Sequence, residues 1–361
     1  MMSEAQRPKT GVDFPRSTGE FLSWFPSDGD CLDYLLWLRW PDGFVCPRCG
    51  GVGGWPIRDG RWCCKSCEAR TSVTAGTIFD RTRTPLTVWF HACWLFATQK
   101  DGISAQSLQR ALEIGSYQTA WAMLHRLRSV CVRPGRERLS GTVEVDETYI
   151  GGVEPGLRGG RQKGKKVLVG VAVEQRRPKG FGRARMIVLP DATGETMRDF
   201  VSDNIEPGST VVTDGLASYF PATRASYTHE RIVGAKAELP GVHRVAALCK
   251  RWLLGTHQGS VEPEHLQGYL NEFVFRFSRR TSGNRGLLFL RLMQLAVDHD
   301  PVRYRELVAR PRPRKTPPLP PGSYSHPPSV ERPLAGRPWR TRAVISSPEP
   351  RAGESDKTPV G

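Results

Sequence analysis

The most regular stretch of the chain is Val143-Glu-Val-Asp-Glu-Thr-Tyr-Ile150, where apolar and polar residues alternate. That period of two predicts a β-strand with Glu144, Asp146 and Thr148 on one face. Lys166-Val-Leu-Val-Gly-Val-Ala-Val-Glu174 is almost continuously apolar and predicts a central strand, and Arg185–Pro190 predicts a third. A helix is expected around Glu195–Asn204, then a fourth strand from Ser209 that ends in Asp214, with a glycine turn at Gly215. Upstream the period lengthens. Pro85–Thr98 is apolar on most sides, with proline in its first turn, and predicts a buried helix. Ile103–Ile114 is amphipathic with Ser104 as its N-cap, Gly115-Ser116 makes a turn, and Tyr117–Arg128 forms a further helix. Helices are also expected from His243 and over His265–Arg280.

These elements divide the 361 residues into a helical lead-in (1–45), a cysteine-bearing segment (46–80), a helical segment (84–132), an α/β region (140–300) and a tail (305–361). The last 51 residues carry 13 prolines among arginine, serine and glycine. Such a composition buries no core, so the tail is expected to be disordered.

Charge then narrows the partner. A formal net charge of +16 favours a polyanion. Because no run of 18 apolar residues and no apolar signal core occurs, membrane insertion and secretion are not expected. Nucleic acid is therefore the expected partner. The nine cysteines fit a reduced compartment, since four form two CxxC pairs and the others are scattered in apolar segments.

Cys46-Pro-Arg-Cys49 and Cys64-Lys-Ser-Cys67 lie fourteen residues apart. Two such turns supply four thiolates to one tetrahedral ion, so a structural Zn²⁺ ribbon is expected. Cys63 breaks the paired spacing and is left outside the set. A redox pair is the rival reading. The two helices joined at Gly115 resemble a helix-turn-helix, with Gln118, Thr119, His125 and Arg126 as candidate DNA contacts; an ordinary helical bundle would look alike.

Acids on the first and fourth strands of a three-strand, helix, strand succession match the RNase H-like order. Such folds hold two Mg²⁺ about 4 Å apart. At this point the chain resembles a family. Cys46–Cys67, Thr71–Phe79, Val143–Gly152 and Tyr269–Phe277 are similar to bacterial insertion-sequence transposases with a zinc ribbon, the family numbered fifteen-ninety-five. The resemblance implies a DDE-type enzyme that binds terminal inverted repeats, cleaves phosphodiesters and transfers strands. It implies Asp146 and Asp214 as the first two ligands for Mg²⁺ or Mn²⁺, and a homo-oligomer on double-stranded DNA, in the cytoplasm and associated with the nucleoid. The fold class expected is therefore multidomain: a Cys₄ zinc ribbon, a helix-turn-helix-like segment and a mixed α/β RNase H-like catalytic domain.

Here the chain departs from the family. Similar proteins open a helix with Glu and place Lys seven residues later, whereas this chain has His243 and Lys250. Seven residues is two turns, so both share a face. His243 is a candidate metal ligand or proton-transfer group, and Lys250 a candidate phosphate contact. Glu272, on the later helix, is the substitute for His243, and Asn271 a weaker one. A third alternative leaves the position without chemistry, as in an inactive copy or a non-catalytic DNA-binding regulator; a simple metal-dependent nuclease is a further rival. Arg161, Lys163, Lys165 and Lys166, with Arg251 beside Lys250, are candidate backbone contacts.

Overall fold

A computed structural model describes residues 8–151, 166–176, 178–223, 226–233, 239–259 and 261–308. The Gly-rich stretch with Arg161, Lys163 and Lys165, and the tail beyond 308, lie outside these described residues.

The chain opens with helices α1 (Thr18–Trp24) and α2 (Asp28–Arg39), each begun by a serine whose hydroxyl accepts a backbone N–H. The hydroxyls of Ser17 and Ser27 satisfy donors that a first turn leaves unpaired. A three-stranded antiparallel sheet follows, formed by β1 (Gly54–Pro56), β2 (Trp62–Cys64) and β3 (Arg70–Thr71). Then come α3 (Leu86–Thr98), α4 (Ala105–Ala111) and α5 (Tyr117–Ser129), close to the ranges the hydrophobic periodicity predicts.

The α/β part holds β4 (Thr142–Ile150), β5 (Val167–Gln175), β6 (Phe181–Val188), α6 (Gly194–Asn204), β7 (Thr210–Thr213), α7 (Phe220–Thr223) and β8 (Thr228–Arg231). The chain continues with α8 (Pro240–His257), α9 (Leu266–Ser278), α10 (Arg285–Asp298) and α11 (Tyr304–Val308). The five strands form one mixed sheet in the order β6-β5-β4-β7-β8, with β4 antiparallel to β5 and parallel to β7. One face packs against α8 and α9 through Val169, Val171, Val173, Val245 and Leu270. The other packs through Val143, Val145 and Val211 against Met197, Phe200 and Val201 of α6. Helices on both faces explain why β5 reads as an uninterrupted apolar run.

Three features differ from the periodicity. The third strand starts at Phe181, four residues earlier than expected, because Phe181 pairs with Gln175, Arg183 binds Glu174, and Gly182 leaves room for that carboxylate. β8 is a short, largely exposed edge strand whose polar sequence gives no hydrophobic signal. Helix α10 lies beyond the last helix expected, and it packs on α3 and α2 rather than on the sheet. Phe289 sits among Phe21, Phe25, Tyr34, Phe90 and Trp94, with ring centroids 5.6–6.2 Å apart. One core therefore joins the lead-in, ribbon and helical segment to a helix from the far end of the chain.

Candidate functional site

Two places bring chemically distinctive residues together. In the ribbon, the sulfurs of Cys46, Cys49, Cys64 and Cys67 all lie within 4.8 Å of one another. The Cys46–Cys67 and Cys49–Cys64 separations are each 3.7 Å. A tetrahedron with Zn–S bonds of about 2.3 Å has an edge of about 3.75 Å, which two of the sulfur pairs already match and the whole set approaches. The Gly51 N–H donates to Cys49 Sγ at 3.4 Å and the Ser66 N–H to Cys64 Sγ at 3.3 Å. Cys63 points elsewhere, toward the Glu68 carbonyl, in keeping with its exclusion from the set. The donor set fits structural zinc and leaves no open position for chemistry.

The second place is the face of β4 that looks at α8. The first two residues on that face meet the first turn of the helix, and the third meets it two turns later. Glu144 accepts from the Val242 N–H at 2.9 Å, Asp146 Oδ2 lies 3.6 Å from His243 Nε2, and Thr148 Oγ1 accepts from Lys250 Nζ at 2.8 Å. Asp214 joins from the neighbouring strand. The β4–β7 register runs as far as Glu144 and Val212, Asp214 follows β7 directly, and its charge acts on Asp146. Gly215, with φ +88°, turns the chain away at once, and Asp214 Oδ1 accepts the Leu216 N–H at 3.0 Å.

Glu147, on the opposite face of β4, accepts from the Tyr219 hydroxyl at 2.8 Å. Asp146 is pushed up to about 6, first by burial, with the charges of Glu147 and Asp214 adding and a backbone N–H and His243 opposing. Acids that repel one another in a half-buried place are a poor arrangement until a cation joins them. Lys250 is held below the usual lysine range, chiefly by burial. Together with Lys166 it borders a cleft of about 1000 Å³, lined by Thr148, Ile150, Leu253 and Leu266. Arg251 is exposed beside it.

Other candidate residues stand apart from this face. Glu272 is fully buried, and its two oxygens accept from Arg128 Nε at 2.9 Å and Arg276 Nε at 3.1 Å. Burial alone would raise its carboxyl; the charges of Arg128 and then Arg276 outweigh that and hold it low. This carboxylate is committed to two guanidiniums. His125 corrects the expectation of a groove contact: it is buried, 4.0 Å from the Trp121 ring centroid and 5.1 Å from that of His265. Desolvation, followed by Arg128, pulls its imidazole down to about 2.

Arg126 is also turned inward, its Nε donating to the Val302 carbonyl at 2.8 Å. Thr119 is tied to the Ser116 cap. Gln118 is exposed, but it borders a hollow of about 410 Å³ shared with Glu262, Glu264 and Trp121, whose carboxylates disfavour phosphate. Sequence periodicity locates α5 correctly, yet not which side α9 and α11 cover. Glu144 and Tyr219 are neighbours of the acids that no spacing rule singled out; the alternation of β4 already placed Glu144 on the right face.

Two stretches of the chain match known families. Residues 138–278 match the ISXO2-like transposase domain, and residues 26–70 match the transposase zinc-ribbon domain. The ribbon match therefore begins before α2, not at the first cysteine. A protein from Halobacterium salinarum, described as an uncharacterized protein in transposable element ISH50, is 29% identical over 279 residues, covering 70% of this chain and 91% of that relative. No helix among the described residues is long and apolar enough to cross a membrane.

Proposed function

Because the chain belongs to the insertion-sequence transposases that join a zinc ribbon to an ISXO2-like domain, we propose that it cuts and joins DNA at the ends of its element, using divalent metal held by Asp146, Asp214 and His243. The observation that carries the proposal is the 3.6 Å approach of His243 to Asp146, on the strand paired with the one that Asp214 follows. The strand order, with three antiparallel strands followed through α6 by two parallel ones, supports an RNase H-like catalytic domain. Mg²⁺ or Mn²⁺ bound there would activate the attacking oxygen and stabilise the leaving one. An imidazole in the set favours Mn²⁺ over Mg²⁺.

The rest of the chemistry belongs to side chains. Asp146 and Asp214 present oxygens on one side of the scissile phosphate. Lys250, anchored by Thr148, and Lys166 carry positive charge to the DNA backbone, with Arg251 and the basic stretch of Arg161, Lys163 and Lys165 extending that contact. These contacts position DNA without reading its sequence. We assign Glu272 to structure, and Gln118 alone among the α5 candidates keeps an exposed polar end. Joining two ends calls for two active sites, hence a homo-oligomer on DNA.

The test is strand transfer by purified protein on labelled terminal-repeat DNA in Mg²⁺ and in Mn²⁺. Asp146→Ala and His243→Ala are expected to lower cleavage and joining by at least about a thousandfold, with DNA binding retained. Binding without cleavage by the wild-type protein in either metal would indicate a non-catalytic regulator or an inactive copy. Cleavage without joining would indicate a nuclease.

A further inference from the structure

Glu144 is a fully buried carboxylate two residues from Asp146, and nothing in the proposed reaction uses it. Both of its oxygens accept. Oε2 takes the Val242 N–H at 2.9 Å, and Oε1 takes the Gln175 side-chain amide at 2.7 Å. Val242 lies in the first turn of α8, where backbone donors have no partner within the helix. The helix has no side-chain cap of its own, since Leu239 occupies the capping position and Pro240 the first helical one. The strand therefore supplies the cap.

The local sequence is suited to this contact. A Cβ on Gly241 would stand 2.8 Å from Glu144 Oε2 and 3.0 Å from the Phe181 ring, so only glycine lets the carboxylate approach the turn. His243 is the next residue after Val242, as Asp146 is the next residue after Glu144 on the same strand face. The bond from Glu144 to Val242 thus fixes how far α8 has advanced along β4, at the point where His243 must meet Asp146. The Lys250–Thr148 bond holds the same helix two turns later.

We propose that Glu144 is a positioning residue: by capping α8 from within the sheet it sets the height and rotation of His243 against Asp146. The proposal rests on the reading of His243 as a metal ligand. Glu144 touches neither metal nor DNA, and Gln175 holds it in place from β5.

A double-mutant cycle on the full-length protein tests this, with Mn²⁺ affinity read from the free-ion paramagnetic resonance signal and strand transfer read in parallel. Glu144→Ala is expected to weaken Mn²⁺ binding and to slow joining by about ten- to a hundredfold, the usual effect of removing a group that orients a ligand. Glu144→Gln, which can still accept from Val242 while Gln175 reverses its amide, should stay within a few-fold of wild type. In a His243→Ala background, Glu144→Ala should change Mn²⁺ affinity by less than about twofold, because a group acting through His243 has nothing left to orient.

Full additivity of the two substitutions would overturn the positioning role while leaving His243 in the site. Wild-type Mn²⁺ affinity and activity in His243→Ala would instead overturn the ligand reading itself. Should Glu144→Ala fail to fold, Gln175→Ala releases the same carboxylate more gently. It is expected to show a smaller loss that again disappears in the His243→Ala background, and an undiminished loss there would overturn the proposal.

Discussion

Replacing Glu272 separates stability from chemistry. The Glu272 side chain is 0% exposed, Arg128 2% and Arg276 13%, so Glu272→Ala leaves two charges behind that water reaches poorly. They fare differently. Arg276 still donates to the Phe96 and Gln99 carbonyls. Among the described residues, Arg128 keeps the face of the Tyr269 ring, 3.8 Å from its guanidinium carbon. Breaking a buried ion pair from one side costs about 3–5 kcal/mol, and the partners retained by Arg276 put the expected loss toward 3. Guanidinium unfolding followed by tryptophan fluorescence would show an earlier midpoint with an unchanged slope.

The double replacement Arg128→Met with Glu272→Leu should cost less than Glu272→Ala alone, because no unpaired charge remains. The pH dependence follows in sign. A carboxyl held low in the folded state contributes stability above its unfolded value, about 4.3, and loses it as pH falls further. The excess stability of wild type over Glu272→Ala should therefore vanish at strongly acid pH. A Glu272→Ala protein with wild-type stability but no cleavage would refute this reasoning and return Glu272 to the catalytic set.

Two more outcomes can be checked directly. Purified protein should carry one Zn²⁺ per chain by metal analysis, and Cys64→Ser should release it; four thiols already near tetrahedral spacing leave no three-ligand substitute of comparable strength. Asp146 is held at about 6 instead of its ordinary 3.8, so ionising it costs the folded, metal-free protein stability above that pH. Asp146→Asn should then raise the metal-free melting temperature at pH 7, by at most about 3 kcal/mol of stability, and not at pH 4. Metal-dependent cleavage by wild type should fall as pH drops below about 6, where a proton competes for the same oxygen.

Residues whose partners lie close in sequence were legible from it. The alternation of β4 and the two CxxC turns each carry their own geometry, and the structure keeps both. Contacts supplied from far away were not. The start of α8 falls at Pro240 and not at His243 because its cap comes from Glu144, 98 positions earlier. Glu272 was ambiguous for the same reason: a carboxylate on an apolar helix face looks alike whether its partner is a metal or an arginine 144 residues away. His125 sits at a plausible recognition position on α5, and only the arrival of α9 decides that the position is covered.

The return of α10 to the amino-terminal helices has a consequence for how this protein comes into being. Its first turn presses so closely on the start of the chain that a Cβ at Gly286 would lie 1.8 Å from the Pro15 carbonyl oxygen. Phe289 completes an aromatic cluster begun by Phe21. During synthesis the lead-in and helical segment therefore stay unfinished until residues near 298 have been made, and their apolar faces wait exposed in the meantime. A chain that stops early yields no free-standing amino-terminal half. A truncated product, with those faces exposed, is then a substrate for proteases.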